Sequence, residues 1–144
     1  MLQILIAPLA AALIAQLIKL FIKSNGLKFD WRSFFSYSGM PSSHAAMAAS
    51  LCASVGLTQS FNSPLFFVCL ILSFFILRDA FGLRNYVGKN GQTLNELTKN
   101  LSDNKIISLE KYPGLNEKVG HTPRQIMAGI ILGIIVSVIA YYIF

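Results

Sequence analysis

Apolar residues fall in four runs along the chain, at residues 2–22, 42–60, 64–83 and 123–144. The charged residues gather between the first and second runs and between the third and fourth, or at the run ends bordering those stretches. At about 1.5 Å per helical residue, the first run is long enough to cross a hydrocarbon layer of about 30 Å, interrupted after its first turn only by Gln16 and Lys19. It predicts a first membrane helix. The second run is apolar but small, and Ala45, Ala49 and Ala53 recur every four residues, a spacing that lets a neighbouring backbone approach closely in lipid. That helix is expected at the centre of a bundle. Asn62, Ser63 and Pro64 predict a short turn into a bulkier third run with Phe66, Phe67, Phe74 and Phe75, expected to face lipid over much of its surface. In the fourth run Gly129, Gly133 and Ser137 line one face for close packing. The predicted fold is all-α: an integral membrane bundle of about four transmembrane helices, with residues 1–144 forming a single domain.

The connecting stretches refine this outline. Residues 24–40, with Gly26, Asp30, Trp31, Arg32 and several aromatics, predict an interfacial loop whose Trp and Tyr sit at headgroup depth. Residues 86–120 are the longest polar stretch. Lys and Glu mixed along 92–102 and 106–118 suit one or two short amphipathic helices that lie on the membrane surface or fold over a site. With four spans, both charged stretches lie on one side, and together with the run ends bordering them they carry all 12 Lys and Arg. The positive-inside rule then puts that side in the cytoplasm, with both termini outside.

Composition agrees with a membrane protein, since 54% of residues are hydrophobic and only 12% charged, too little charge for a soluble domain of this size. A net charge of +6 would suit nucleic acid, but the apolar runs favour anionic membrane lipids or a phosphorylated lipid as partner. Nucleic acid is not expected. Cys52 and Cys69 lie inside apolar runs, read as small buried hydrophobes. The first run lacks a basic leader and a small-residue cleavage site, so it is read as a retained helix. Small-residue faces on the second and fourth helices would also allow a homo-oligomer.

Candidate chemistry collects at run ends. Gly39-Met40-Pro41-Ser42-Ser43-His44 stands where a polar loop turns into the second helix, and Gly120-His121-Thr122-Pro123 stands at the equivalent point of the fourth. Thr122 suits an N-cap and Pro123 the first helical position. Spare backbone N–H groups at Ser42 and Ser43, on the positive end of a helix dipole, would attract phosphate. The bland reading is an N-cap followed by a partly exposed imidazole. Arg78, Asp79 and Arg84 near a membrane boundary are costly unless paired or facing water, so they form either a structural ion pair or part of a site. Lys19 and Lys23, four apart, either snorkel to headgroups or, for Lys19, turn inward toward an anion. His44, Arg84, His121 and Lys19 all fall on one membrane face.

These stretches resemble the type 2 phosphatidic acid phosphatases, relatives of the vanadium haloperoxidases, and more closely their short divergent bacterial and plastid branch. That branch carries Gly-Met-Pro-Ser-Ser-His, Asp-Ala-x-Gly-x-Arg and Gly-His-Thr-Pro, as at Gly39–His44, Asp79–Arg84 and Gly120–Pro123 here. The wider superfamily motif Pro-Ser-Gly-His is similar to Pro41–His44, with Ser for Gly. Arg84-Asn85-Tyr86-Val87-Gly88 and His121-Thr122-Pro123, with Gly129 and Gly133, resemble the two halves of a further motif, separated here by an insertion.

The resemblance implies a lipid-phosphate phosphatase of a bacterial plasma membrane or plastid-type membrane, with no metal or other cofactor. It implies His121 as nucleophile forming a phosphohistidine, and His44 as the acid that protonates the leaving lipid oxygen and then assists water. It also implies Arg84, Lys19, Ser42 and Ser43 as the phosphate-binding groups. Gln125 stands where the superfamily has an Asp that holds the nucleophile, and Asp79, or alternatively Glu117, is the carboxylate expected to replace it. Lys19 is the nearest match to the first motif, whose Arg-Pro has no counterpart, and four spans replace six. The competing reading, supported by Gln125, is a phosphatase-like membrane protein without turnover that binds lipid phosphate or a protein partner.

Overall fold

The computed structural model describes residues 1–22, 39–108, 112, 114–117 and 119–144. The interfacial loop expected at 24–40 therefore lies outside the described residues, apart from Gly39 and Met40. In chain order the elements are α1 (Gln3–Phe21), α2 (Ser43–Gln59), α3 (Pro64–Arg78), a π-helical turn (Asp79–Leu83), α4 (Arg84–Asp103) and α5 (Pro123–Ile143). Three helices among the described residues are long and apolar enough to cross a membrane: α1, the continuous helix Pro64–Asp103 and α5. The chain is a membrane protein.

Small side chains put α2 at the centre. It packs against α1, α3 and α5, burying Ala45, Ala46, Ala48, Ser50, Ser54 and Val55. From α1 it receives a seam of Ala7, Ala11, Ala15 and Lys19, one residue per turn on one face. Against α5 the contact is backbone to backbone, because a Cβ on Gly129 would overlap the carbonyl oxygen of Ser42 and one on Gly133 that of Ala46. Small residues of the second and fourth runs thus pack on each other within one chain. Hydroxyls reinforce the contact. The Ser137 Oγ donates to the Ser50 carbonyl at 2.8 Å, and the Ser54 Oγ donates to the Ser137 Oγ at 3.1 Å, bonds for which hydrocarbon offers no competing partner.

Helix α3 buries only Cys69 and Ser73, leaving Leu65, Phe67, Leu70, Ile71, Phe74 and Phe75 exposed, the outward-facing surface that its bulk predicts. Ser63 caps it by accepting from the Phe66 N–H at 3.2 Å. The Ser73 Oγ donates to the Ala48 carbonyl at 3.1 Å, which holds the helix to α2. Both cysteines are free thiols.

The stretch after residue 83 departs from expectation. In place of a polar loop with short helices, the third run continues through the π turn into the 20-residue α4. No proline interrupts it, and its glycines lie against the returning chain. It ends on Lys105, left-handed at φ 58°, with the Ile106 N–H bonded back to the Leu101 carbonyl at 2.9 Å. Beyond it no helix forms among the described residues up to Val119, and the chain returns along α4.

Candidate functional site

The π turn mounts one half of the site. Its defining bond runs from the Arg84 N–H to the Asp79 carbonyl, five residues back, and the widened turn leaves the Ala80 carbonyl to accept from the His121 N–H at 3.1 Å. On the other side of His121, the Asn85 Nδ2 donates to the His121 carbonyl at 3.4 Å and to that of Phe81 at 2.8 Å. Gly120, at φ 99°, takes a conformation closed to most side chains, and a Cβ there would press on Asn85.

Upstream, the chain is laid on α4 by one side chain. Asn95 accepts from the Leu115 N–H at 2.9 Å, and its Nδ2 donates to the Leu115 carbonyl at 2.9 Å and to the Glu117 Oε1 at 2.8 Å. Gly88 and Gly91 make room beneath it. A Cβ on Gly88 would come within 2.8 Å of the Glu117 carbonyl oxygen. Sequence reasoning missed Asn85 and Asn95, although with Gly88 and Gly91 they repeat at helical spacing along one face.

The other half hangs from two helix starts. Ser42 caps α2 by accepting from the Ala45 N–H at 3.4 Å, and its own N–H donates to the Gln125 carbonyl at 3.0 Å, tying the start of α2 to that of α5. The hydroxyl and the N–H of Ser42, a residue expected to bind phosphate, are thus both engaged in bonds at the helix starts. Gln125 completes a capping box, its Oε1 accepting from the Thr122 N–H at 2.9 Å. The residue in place of the superfamily Asp is thus engaged in holding the helix end. Gln125→Ala is expected to cost about 1 kcal/mol of stability, while Gln125→Glu, the other residue of capping boxes, keeps it. Thermal unfolding in detergent checks this, and equal melting of wild type and Gln125→Ala would contradict it.

His44, the second residue of α2, and His121 meet with ring centroids 6.4 Å apart and planes at 74°. His121 is 1% exposed, and neither of its ring nitrogens has a hydrogen-bond partner among the described residues; the same holds for the His44 Nδ1. Buried polar atoms are seldom left so. Burial, followed by the positive charges of Lys19, His44 and Arg84, pushes the His121 imidazole down to about 4, so it is neutral at ordinary pH. Lys19 is 2% exposed and donates to the Ser43 Oγ at 3.5 Å, so it turns inward. The Arg84 Nε donates to the Asp79 Oδ2 at 2.7 Å. His44, Asp79, Ala80 and Arg84 line a cavity of about 380 Å³ between α2 and the π turn, whose remaining wall includes Met47, Leu51, Phe75 and Ile76. One end is polar and the other apolar.

The six residues His44, His121, Lys19, Ser43, Asp79 and Arg84 thus come to the charged end of the bundle. Asp79 is engaged by Arg84 and Glu117 by Asn95, and neither carboxylate bonds His121. What the arrangement offers is an uncharged imidazole, unbonded among the described residues, beside a second imidazole, with an ammonium and a guanidinium close by. Such a set can bind an anion and attack it.

The chain matches the model of the Divergent PAP2 family over residues 2–136. The uncharacterized membrane protein YuiD of Bacillus subtilis strain 168 is 33% identical to it over 151 aligned residues, covering 97% of this chain and 94% of the relative. No solved structure matches the chain.

Proposed function

The chain belongs to the Divergent PAP2 family, and from that premise we propose that it is a lipid-phosphate phosphatase acting at the cytoplasmic face of its membrane through a phosphohistidine. The observation that carries the reading is the His121 side chain, buried, unbonded at both ring nitrogens among the described residues, and with its ring centroid 6.4 Å from that of His44. Helix α2, enclosed by the three membrane-crossing helices, is the fourth span. That all 12 Lys and Arg fall, along the sequence, in the two stretches between the runs or at the run ends bordering them supports a cytoplasmic site through the positive-inside rule.

In this reading a ring nitrogen of His121 attacks phosphorus, and the bond from phosphorus to the lipid oxygen breaks as His44 donates a proton to that oxygen. His44, now neutral, takes a proton from water, whose oxygen opens the P–N bond. Orthophosphate leaves, and His121 returns as neutral imidazole. Lys19 and Arg84 balance the charge on the equatorial oxygens, with Ser43 beside Lys19. The apolar wall of Met47, Leu51, Phe75 and Ile76 suits the first carbons of a lipid chain.

The test is phosphate release from phosphatidic acid and phosphatidylglycerophosphate by the protein in lipid nanodiscs, with His121→Ala alongside. Release by wild type well above the variant supports the reading, and equal signals overturn it. A binding protein without turnover is the second reading, favoured by the commitment of Gln125 to the helix cap and by the lack, among the described residues, of a carboxylate on His121. It predicts lipid-phosphate binding with no release.

The depressed His121 fixes a pH dependence. Only neutral imidazole attacks, and because His121 is held near 4, the acid limb it causes in kcat/KM lies near 4 and below the ordinary 6.5. The substrate's own second ionisation, near pH 6, adds a separate limb that moves when a more acidic phosphomonoester is used. A limb fixed near 6.5 for both substrates would contradict this.

A further inference from the structure

Asp79 and Arg84 are five residues apart, and in a regular α-helix such residues point about 140° away from one another. The π turn, whose hydrogen bonds join residues five apart, stacks them instead, so that the carboxylate accepts from the Arg84 Nε at 2.7 Å. Both side chains line the cavity that His44 also lines. The wall facing a bound phosphate therefore carries a guanidinium with a negative charge built in beside it. A phosphomonoester presents at most two negative charges to this wall, whereas a diphosphate adds a second phosphoryl group and more negative charge. With two cations, Lys19 and Arg84, and one carboxylate among the described residues of the site, the extra charge meets repulsion as well as attraction.

We propose that Asp79 is a specificity-determining residue: it holds Arg84 toward the cavity and, as a carboxylate beside the bound anion, selects phosphomonoesters over diphosphates. This rests on the lipid-phosphatase reading and replaces the expected role of Asp79 as a partner for His121. The pair is partly exposed, at 28% for Arg84 and 41% for Asp79, so screening keeps the discrimination to roughly tenfold. Asn at this position can still accept from the Arg84 Nε through its amide oxygen while removing the charge.

The experiment compares hydrolysis of a monophosphate and a diphosphate of the same alkyl chain, in nanodiscs, by wild type, Asp79→Asn and Asp79→Glu. Wild type is expected to favour the monoester in kcat/KM by roughly tenfold, Asp79→Asn to erase most of that preference, and Asp79→Glu to keep it. A carboxylate that only held the fold would, when replaced, lower both substrates by one factor and leave their ratio unchanged, a result that overturns the proposal. Equal use of both substrates by wild type also overturns it. If wild type or Asp79→Asn turns over neither substrate, calorimetric binding of orthophosphate and pyrophosphate decides. Tighter orthophosphate binding by wild type that Asp79→Asn erases or reverses supports the proposal, and an unchanged ratio, or tighter pyrophosphate binding by wild type, refutes it. Lack of turnover by wild type in that case counts against the phosphatase reading alone.

Discussion

Replacing His121 by Ala is expected to lower phosphate release on the order of a thousandfold or more, whereas replacing His44 by Ala should leave the first chemical step largely intact for an aryl phosphate. The two imidazoles lie side by side, but they are asked for different things. In the proposed mechanism His121 forms the bond to phosphorus, so every substrate needs it, and a methyl group cannot take its place. His44 supplies a proton to an alkoxide, which is a poor leaving group without one, while a phenolate such as that of p-nitrophenyl phosphate departs unaided. His44→Ala should therefore slow phosphatidic acid hydrolysis by about 10²- to 10⁴-fold yet still give a burst of p-nitrophenolate. Because His44 also assists the incoming water, phosphorus should then accumulate on His121 as a label stable to alkali and lost in acid. A burst from His121→Ala and none from His44→Ala would exchange the two roles.

Gly133→Val is expected to be the most damaging change to the fold, costing at least about 3 kcal/mol and lowering the melting temperature on the order of 10 °C. A Cβ at 133 would overlap the Ala46 carbonyl oxygen and come within 2.9 Å of the Ser50 backbone nitrogen. Both obstacles are backbone and cannot rotate away, so α5 must withdraw from α2. Withdrawal breaks the bonds of Ser137 to Ser50 and Ser54 one turn further on, leaving hydroxyls unbonded where water does not reach. Gly82→Ala is the control, since a Cβ there meets nothing within 4 Å and should change stability by less than about 0.5 kcal/mol. Thermal unfolding of both variants in one detergent measures the contrast. Similar melting temperatures would mean that the α2–α5 contact is looser than the glycine geometry implies.

The helices α1, α2, α3 and α5 were legible because each rests on properties carried in one stretch: apolar length, small-residue spacing, and caps such as Ser42, Ser63 and Thr122 whose chemistry is local. The pairing of His44 with His121 was legible for the same reason, since both stand at helix starts on one end of the bundle. Helix α4 was not. Gly88 and Gly91 lower helix propensity and read as loop residues, and the reason for them is the backbone of Asn116, Glu117 and Val119, which passes over them. The π turn likewise has no local signature, because the Ala80 carbonyl is claimed by the N–H of His121, far along the chain. The bond made by the Ser42 N–H was hidden for the same reason. That N–H looked available from the local sequence, and the acceptor that takes it, the Gln125 carbonyl, belongs to another helix. Lys19 could be read in two ways because charge near a span end fits either, and the choice is made by Ser43 on a neighbouring helix.

The Asn95 clamp has a consequence for chain length. Because Leu115 is fastened to α4 at both its N–H and its carbonyl, Lys105 and Leu115 are each held by α4 whatever the length of the excursion between them. Lengthening a closed segment adds only about 0.6 kcal/mol for each doubling. An affinity tag or a fluorescent reporter spliced into that excursion would thus be carried at the far end of a helical mast, while the register of residues 115–121, and with it the place of the His121 ring, stays as it is. The same insertion made between Leu115 and Gly120 would shift that ring out of the site.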